Sequence, residues 1–177
     1  KFIQSYLIDF PGTHIYVIDN GQQGCSAGTS ENVTIITESS NLGVAESWNR
    51  LCSIIYEEGH THAMICNDDI YPGNKKQVLQ SILETYPRDL YKTSRDDWSL
   101  FILPKSTFMK IGPFNTAFYP AYFEDRDYMR RMKLAGCSMM ISIKFDASIY
   151  KESQSTRKDS SLLDRFDHNE KLYREMW

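Results

Sequence analysis

Apolar residues recur along this chain in two rhythms, short unbroken runs and stripes at three- and four-residue spacing. The runs His14-Ile15-Tyr16-Val17-Ile18, Val33-Thr34-Ile35-Ile36-Thr37 and Ala63-Met64-Ile65-Cys66 predict short buried strands, each followed by polar or turn residues. The stripes predict helices. Phe2, Ile3, Tyr6 and Leu7 share one face of a helix over Lys1 to Leu7, which Pro11-Gly12 ends. Ala45, Trp48, Leu51, Cys52 and Ile55 predict a helix from Val44 to about Glu58, stopped by Gly59. Val78, Leu79, Ile82 and Leu83 predict another over Lys75 to Tyr86, ending before Pro87. This alternation of helix and strand predicts an α/β fold with a mainly parallel central sheet flanked by helices. Such a sheet ordinarily has a strand before its first helix, so an apolar strand is expected ahead of Lys1, pairing beside His14 to Ile18.

The second half changes character. Leu90 to Thr93 and Ser99 to Leu103 predict shorter strands, separated by the acidic loop Arg95-Asp96-Asp97-Trp98. Ile111-Gly112-Pro113-Phe114-Asn115 reads as a turn, and Ala117 to Phe123 as an aromatic approach to a helix. That helix runs from about Glu124 to Ala135, with Tyr128, Met132 and Ala135 on one face and Gly136 at its end. Ser138 to Phe145 predicts a last strand, Lys151 to Ser161 a polar connection, and Leu162 to Trp177 a terminal helix. The 177 residues contain no repeat and no linker composition, which predicts one domain over 1–177.

Composition narrows the partners. Hydrophobic content of 41% and aromatic content of 13% suit a globular core, and a net charge of −3 gives no basis for binding nucleic acid. No apolar run approaches the roughly 20 residues that span a bilayer. Cys25, Cys52, Cys66 and Cys137 are scattered without CxxC spacing. Free thiols are therefore expected, and with them a reducing, cytoplasmic location, in solution or at a membrane periphery.

Polar clusters stand at the ends of three apolar elements: Asp19-Asn20-Gly21, Asn67-Asp68-Asp69 and Glu124-Asp125-Arg126-Asp127. In α/β sheets the carboxyl ends of strands gather ligands at one edge. Adjacent carboxylates such as Asp68 and Asp69 repel one another unless a cation, a proton or a basic group relieves them. A hard divalent ion on substrate phosphates is one such relief. Each cluster also has an ordinary structural explanation, as a turn, a cap or a partner of the helix dipole. Trp98 and Tyr122 invite a sugar-stacking role, and Trp48 fits a helical core stripe.

In their order along the chain these pieces resemble glycosyltransferases of the GT-A fold, in particular the family-2-like enzymes. The resemblance rests on Val17-Ile18-Asp19-Asn20-Gly21, Asn41-Leu42-Gly43 through Ala45 and Asn49, Cys66-Asn67-Asp68-Asp69, and Gly112-Pro113-Phe114. It continues through Tyr122-Phe123-Glu124-Asp125-Arg126-Asp127, Arg130, Gly136 and the segment Asn169 to Tyr173 with Trp177. It implies a nucleotide-diphosphate-sugar donor, UDP-linked, and a glycan, protein or lipid acceptor. Asp19, Asn41, Gly43, Asn67 and Asp68 would line the nucleotide, and Asp69 with Asp68 would hold Mn²⁺ or Mg²⁺ in a DXD-like motif. Asp125, beside Glu124, would be the catalytic base of an inverting transfer, with Trp98 and Tyr122 near the acceptor. The sequence departs from the family in two places, lacking both the initial strand and a histidine over Asp146 to Thr156. A non-catalytic sugar-nucleotide or glycan-binding module of the same fold is an alternative reading, as is a metal-dependent nucleotidyltransferase.

Overall fold

The computed structural model describes residues 2–21, 24, 25, 30–67, 84, 90–94, 97–142 and 161–177. The expected helix Lys75 to Tyr86 (Glu84 apart), the middle of the acidic loop, residues 143–160 and the carboxylates Asp68 and Asp69 lie outside the described residues.

The fold is α/β. The chain opens with helix α1 (Phe2–Asp9), then strands β1 (Ile15–Asp19) and β2 (Val33–Thr37), helix α2 (Gly43–Glu57) and strand β3 (His62–Cys66). Strands β4 (Leu90–Ser94) and β5 (Asp97–Pro104) follow, then helices α3 (Lys105–Ile111) and α4 (Glu124–Leu134), strand β6 (Met139–Ser142) and helix α5 (Ser161–Met176). Helix α3 lies where no apolar stripe predicts one, in a stretch too short to show a period.

A mainly parallel central sheet is not what the described residues show. β1 and β2 pair in parallel, Ile15 opposite Val33 through Asp19 opposite Thr37. A second sheet has the order β3-β5-β4-β6, in which β5 is antiparallel to both β3 and β4 while β4 and β6 are parallel. The reason is the connection between β4 and β5. Two residues separate them, which allows only a hairpin, so β5 presents a reversed edge to β3.

Burial on both faces explains why β3 reads as a continuous apolar run. Ala63 and Ile65 face α2, in a core with Trp48, Cys52, Phe101, Phe114, Tyr128 and Met132. Met64 and Cys66 face the other way, against Tyr6 and Phe10 at the α1 end of the chain and against Tyr91 and Ile102. Tyr6 donates a hydrogen bond to Cys66 Sγ at 3.3 Å, fastening α1 to β3. All four cysteines are free thiols.

Candidate active site

The site begins at the carboxyl end of β1. The buried Asp19 carboxylate accepts the backbone N–H groups of Gly24 and Cys25, both at 3.2 Å, and so shapes the turn beyond the strand. Next to it, Asn20 donates to Asn41 Oδ1 at 2.8 Å and accepts the Leu42 N–H at 2.7 Å. Asn41 Oδ1 also accepts the Gly43 N–H at 2.9 Å. Asp19, Asn41 and Gly43, expected together from sequence, are thus joined through Asn20. Asn67, at the end of β3, lines the same cavity as Asp19 and Asn20.

Gly43 opens α2 with φ +76°, a conformation that disfavours any side chain. A Cβ there would lie 2.9 Å from Pro120 O and 2.9 Å from the Tyr119 ring. The close approach lets Val44 N–H donate to Pro120 O at 2.7 Å and the Tyr119 hydroxyl donate to Asn41 O at 3.2 Å. About a turn and a half further along α2, Asn49 clasps Phe114 from both sides, donating to its carbonyl at 2.9 Å and accepting its N–H at 2.7 Å. The first turns of α2 therefore hold both the Gly112-Pro113-Phe114 turn and the loop that leads into α4.

That loop is strained. Tyr122 and Phe123 both have positive φ, 76° and 74°, a conformation costing non-glycine residues about 1–3 kcal/mol each. Asn169 of α5 holds it in place, fully buried, with Nδ2 donating to the carbonyl of Ala121 at 2.8 Å and more distantly to those of Tyr119 and Tyr122. The loop delivers Glu124 and Asp125 at the first turn of α4, beside the helix N-terminus.

The two carboxylates differ. Glu124 is 5% exposed, and its Oε2 has no hydrogen-bond partner among the described residues. Burial, and then the neighbouring Asp125 charge, push its carboxyl up to about 8. Asp125 is half-buried and accepts the Arg126 N–H at 2.7 Å. Burial raises it above the ordinary carboxylate value, while that hydrogen bond and the charges of Arg126 and Lys92 pull it back. Asp127 is spent structurally, paired with Arg131 at 2.8 Å and accepting Trp177 Nε1–H at 3.1 Å. Arg131 also donates to the carbonyls of Ile111 and Pro113, tying α4 to the same turn that Asn49 holds.

Trp98 is not a loop residue. It belongs to β5, is 5% exposed, and packs against Trp48, Phe101, Phe114 and Tyr128 at ring separations of 5.0–6.2 Å, with Lys92 Nζ 4.8 Å from its ring centre. The adjacent acidic residues masked its core role in the sequence. Tyr122 is half-buried and packs edge-on against Phe166 of α5.

Two residues at the site escape the sequence reading of roles. Lys92 is fully buried in β4 behind Asp125, and nothing in the sequence distinguishes it from a solvent-facing strand lysine. Asn169 could have been found: with Phe166 and Tyr173 it falls on one face of the terminal helix, an amide within an aromatic stripe.

Among the described residues no group of three His, Cys, Asp or Glu side chains is arranged to hold a metal ion. The donors at this edge are carboxylate and amide oxygens, which suit a hard cation, and Asn67 leads directly into Asp68 and Asp69. No helix among the described residues is long and apolar enough to cross a membrane. No protein-family model, curated protein or solved structure matches the chain.

Proposed function

We propose that the chain is a glycosyltransferase of the GT-A type, moving a sugar from a UDP-linked donor to an acceptor hydroxyl with inversion. The observation that carries the reading is the continuous hydrogen-bonded path from Asp19-Asn20 through Asn41 and Gly43 to the loop that presents Glu124 and Asp125. It connects the strand end suited to a nucleotide with a carboxylate pair suited to proton transfer. In this reading Asp125 accepts the proton of the acceptor hydroxyl as its oxygen bonds to the sugar's anomeric carbon and the bond to the diphosphate breaks. Glu124, neutral below about pH 8, leaves Asp125 as the charged member of the pair. Asp69 and Asp68 would hold Mn²⁺ or Mg²⁺, which supplies positive charge to the diphosphate. Asp19, Asn41, Gly43 and Asn67 would line the nucleotide.

The test is release of UDP from a panel of UDP-sugars with Mn²⁺ present, together with calorimetry of donor binding. Asp125→Asn should keep donor affinity and lower turnover by about 10²–10⁴-fold. Full turnover in Asp125→Asn removes it as the base. Binding without turnover across acceptors, in the unaltered chain, favours a binding module.

A further inference from the structure

β4 alternates faces through the core. Leu90 lies with Trp48, Phe101 and Met132 on the side that α2 and α4 cover, and Tyr91 with Tyr6 and Phe10 on the other. Period two returns Lys92 to the first side, where its cross-strand partner is Phe101. β4 lies between β5 and β6, and Lys92 is 0% exposed. An ammonium without compensating charge is among the costliest groups to bury. Its Nζ lies 4.8 Å from the Trp98 ring centre and 3.7 Å from Met129 Sδ. The ring and the thioether favour a cation without neutralising it.

Met129 shows what that charge serves. It stands four residues after Asp125 on the same face of α4, and helical side chains lean back over the preceding turn. A contact at its sulfur therefore lies over the turn that begins at Asp125. Lys92 thus reaches from the core the face of α4 that carries Asp125, and its charge favours the ionised carboxylate. Arg126 does the same from outside, but it is exposed, with its guanidinium 4.9 Å from the Phe123 ring, where water and salt screen it. Glu124 is the opposing group on α4, and Asp127 is neutralised by Arg131. α5 brings Phe166 and Asn169 to the loop, and neither titrates. We propose that Lys92 is the positioning residue of the site: its buried ammonium is the fixed counter-charge that holds the Asp125 carboxylate at the first turn of α4 and makes Asp125, not Glu124, the charged member of the pair. The use of that carboxylate as a base rests on the glycosyl-transfer reading, and the pairing itself does not.

The test is a pH titration of the 177-residue chain by NMR, following Asp125 Cγ, Glu124 Cδ and Lys92 Nζ. In the unaltered chain the Lys92 Nζ signal should shift at the midpoint of Asp125 Cγ, and that shift should vanish in Asp125→Asn. Lys92→Met keeps most of the stem and removes the charge, and it should raise the proton affinity of Asp125 by about tenfold or more. Lys92→Gln, also neutral, should do the same, which separates charge from polarity. A Lys92 Nζ signal indifferent to Asp125 overturns the inference, whether or not either variant folds. So does an unchanged Asp125 midpoint in either folded variant, or a larger change at Glu124 than at Asp125. In a transfer assay the acid limb of kcat/KM should move to higher pH by the same factor in Lys92→Met. A loss of turnover that is equal at every pH is what a merely structural lysine would give, and it overturns the positioning role. Coupled titration in a chain that transfers no sugar keeps the pairing and removes the glycosyltransferase reading.

Discussion

Glu124→Gln tests the central electrostatic feature of the site without a substrate. An ordinary glutamate titrates near 4.5, and burial carries Glu124 up to about 8 in the folded protein. The folded state therefore holds this proton more tightly than the unfolded chain does. Below pH 4.5 both states are protonated and the buried carboxyl costs nothing extra. As pH rises from 4.5 towards 8 the unfolded chain ionises first, and folding stability falls by about 1.4 kcal/mol per pH unit, up to about 5 kcal/mol in all. Asp125 is raised in the same direction, and its contribution adds to the loss above its own ordinary value. Glutamine keeps the shape and has no proton to lose. The variant should match the parent near pH 4.5 and exceed it by several kcal/mol at pH 8. Urea unfolding followed by tryptophan fluorescence suits the measurement, because Trp48 and Trp98 both lie in the core. A stability difference that stays flat between pH 5 and 8.5 would refute the buried, proton-holding Glu124.

Other predictions follow from the contacts around the pair. Asn49→Ala strands a buried N–H and a buried carbonyl of Phe114 and should cost about 2–5 kcal/mol in urea unfolding; a loss under about 0.5 kcal/mol would show the clasp to be incidental. Gly43→Ala meets Pro120 O and the Tyr119 ring at 2.9 Å in a left-handed conformation. It should destabilise by at least about 1–2 kcal/mol, and a neutral result in thermal unfolding would contradict the docking of α2 on that loop. Asn169→Ala removes the donor to three loop carbonyls and should speed hydrogen exchange over 119–125 more than elsewhere; unchanged exchange there would mean α5 does not hold the loop.

How much of this was legible in the sequence depended on whether the signal was local. β2 falls on its expected residues, and α2 and β3 within one residue, because turn residues and periodicity bracket them. α4 was legible from Glu124 to Gly136 for the same reason. Sheet direction was not, since strand runs carry no sign of their neighbours; only the brevity of the β4–β5 connection reveals the reversal, and it becomes informative once both strand boundaries are known. At the site, Asp19, Asn41 and Gly43 were expected together, and the structure joins them. Trp98 was misjudged because two adjacent aspartates outweighed the apolar run after it. Lys92 was invisible, since burial of a strand lysine depends on what packs over it from distant segments.

The holding residues share a feature that bears on how the carboxylates work. Asn41 acts from the loop before α2, Gly43 and Asn49 from α2, Arg131 from α4 itself, Asn169 from α5 and Trp177 just after it, yet they converge on residues 111–127. Two consecutive left-handed residues are costly, and a loop left to itself would relax out of them. Relaxation would turn Glu124 towards water, lower its proton affinity and add a second charge beside Asp125. The clamps therefore maintain an unequal pair, one carboxyl buried and proton-holding, the other half-buried and faced by Arg126 and Lys92. Loss of a remote clamp should thus appear first as a lowered Glu124 pKa and only secondarily as lost stability. Asn169→Ala, titrated alongside Glu124→Gln, separates those two effects: a pH dependence of stability shallower than the parent's, in an otherwise folded variant, is the outcome this argument requires.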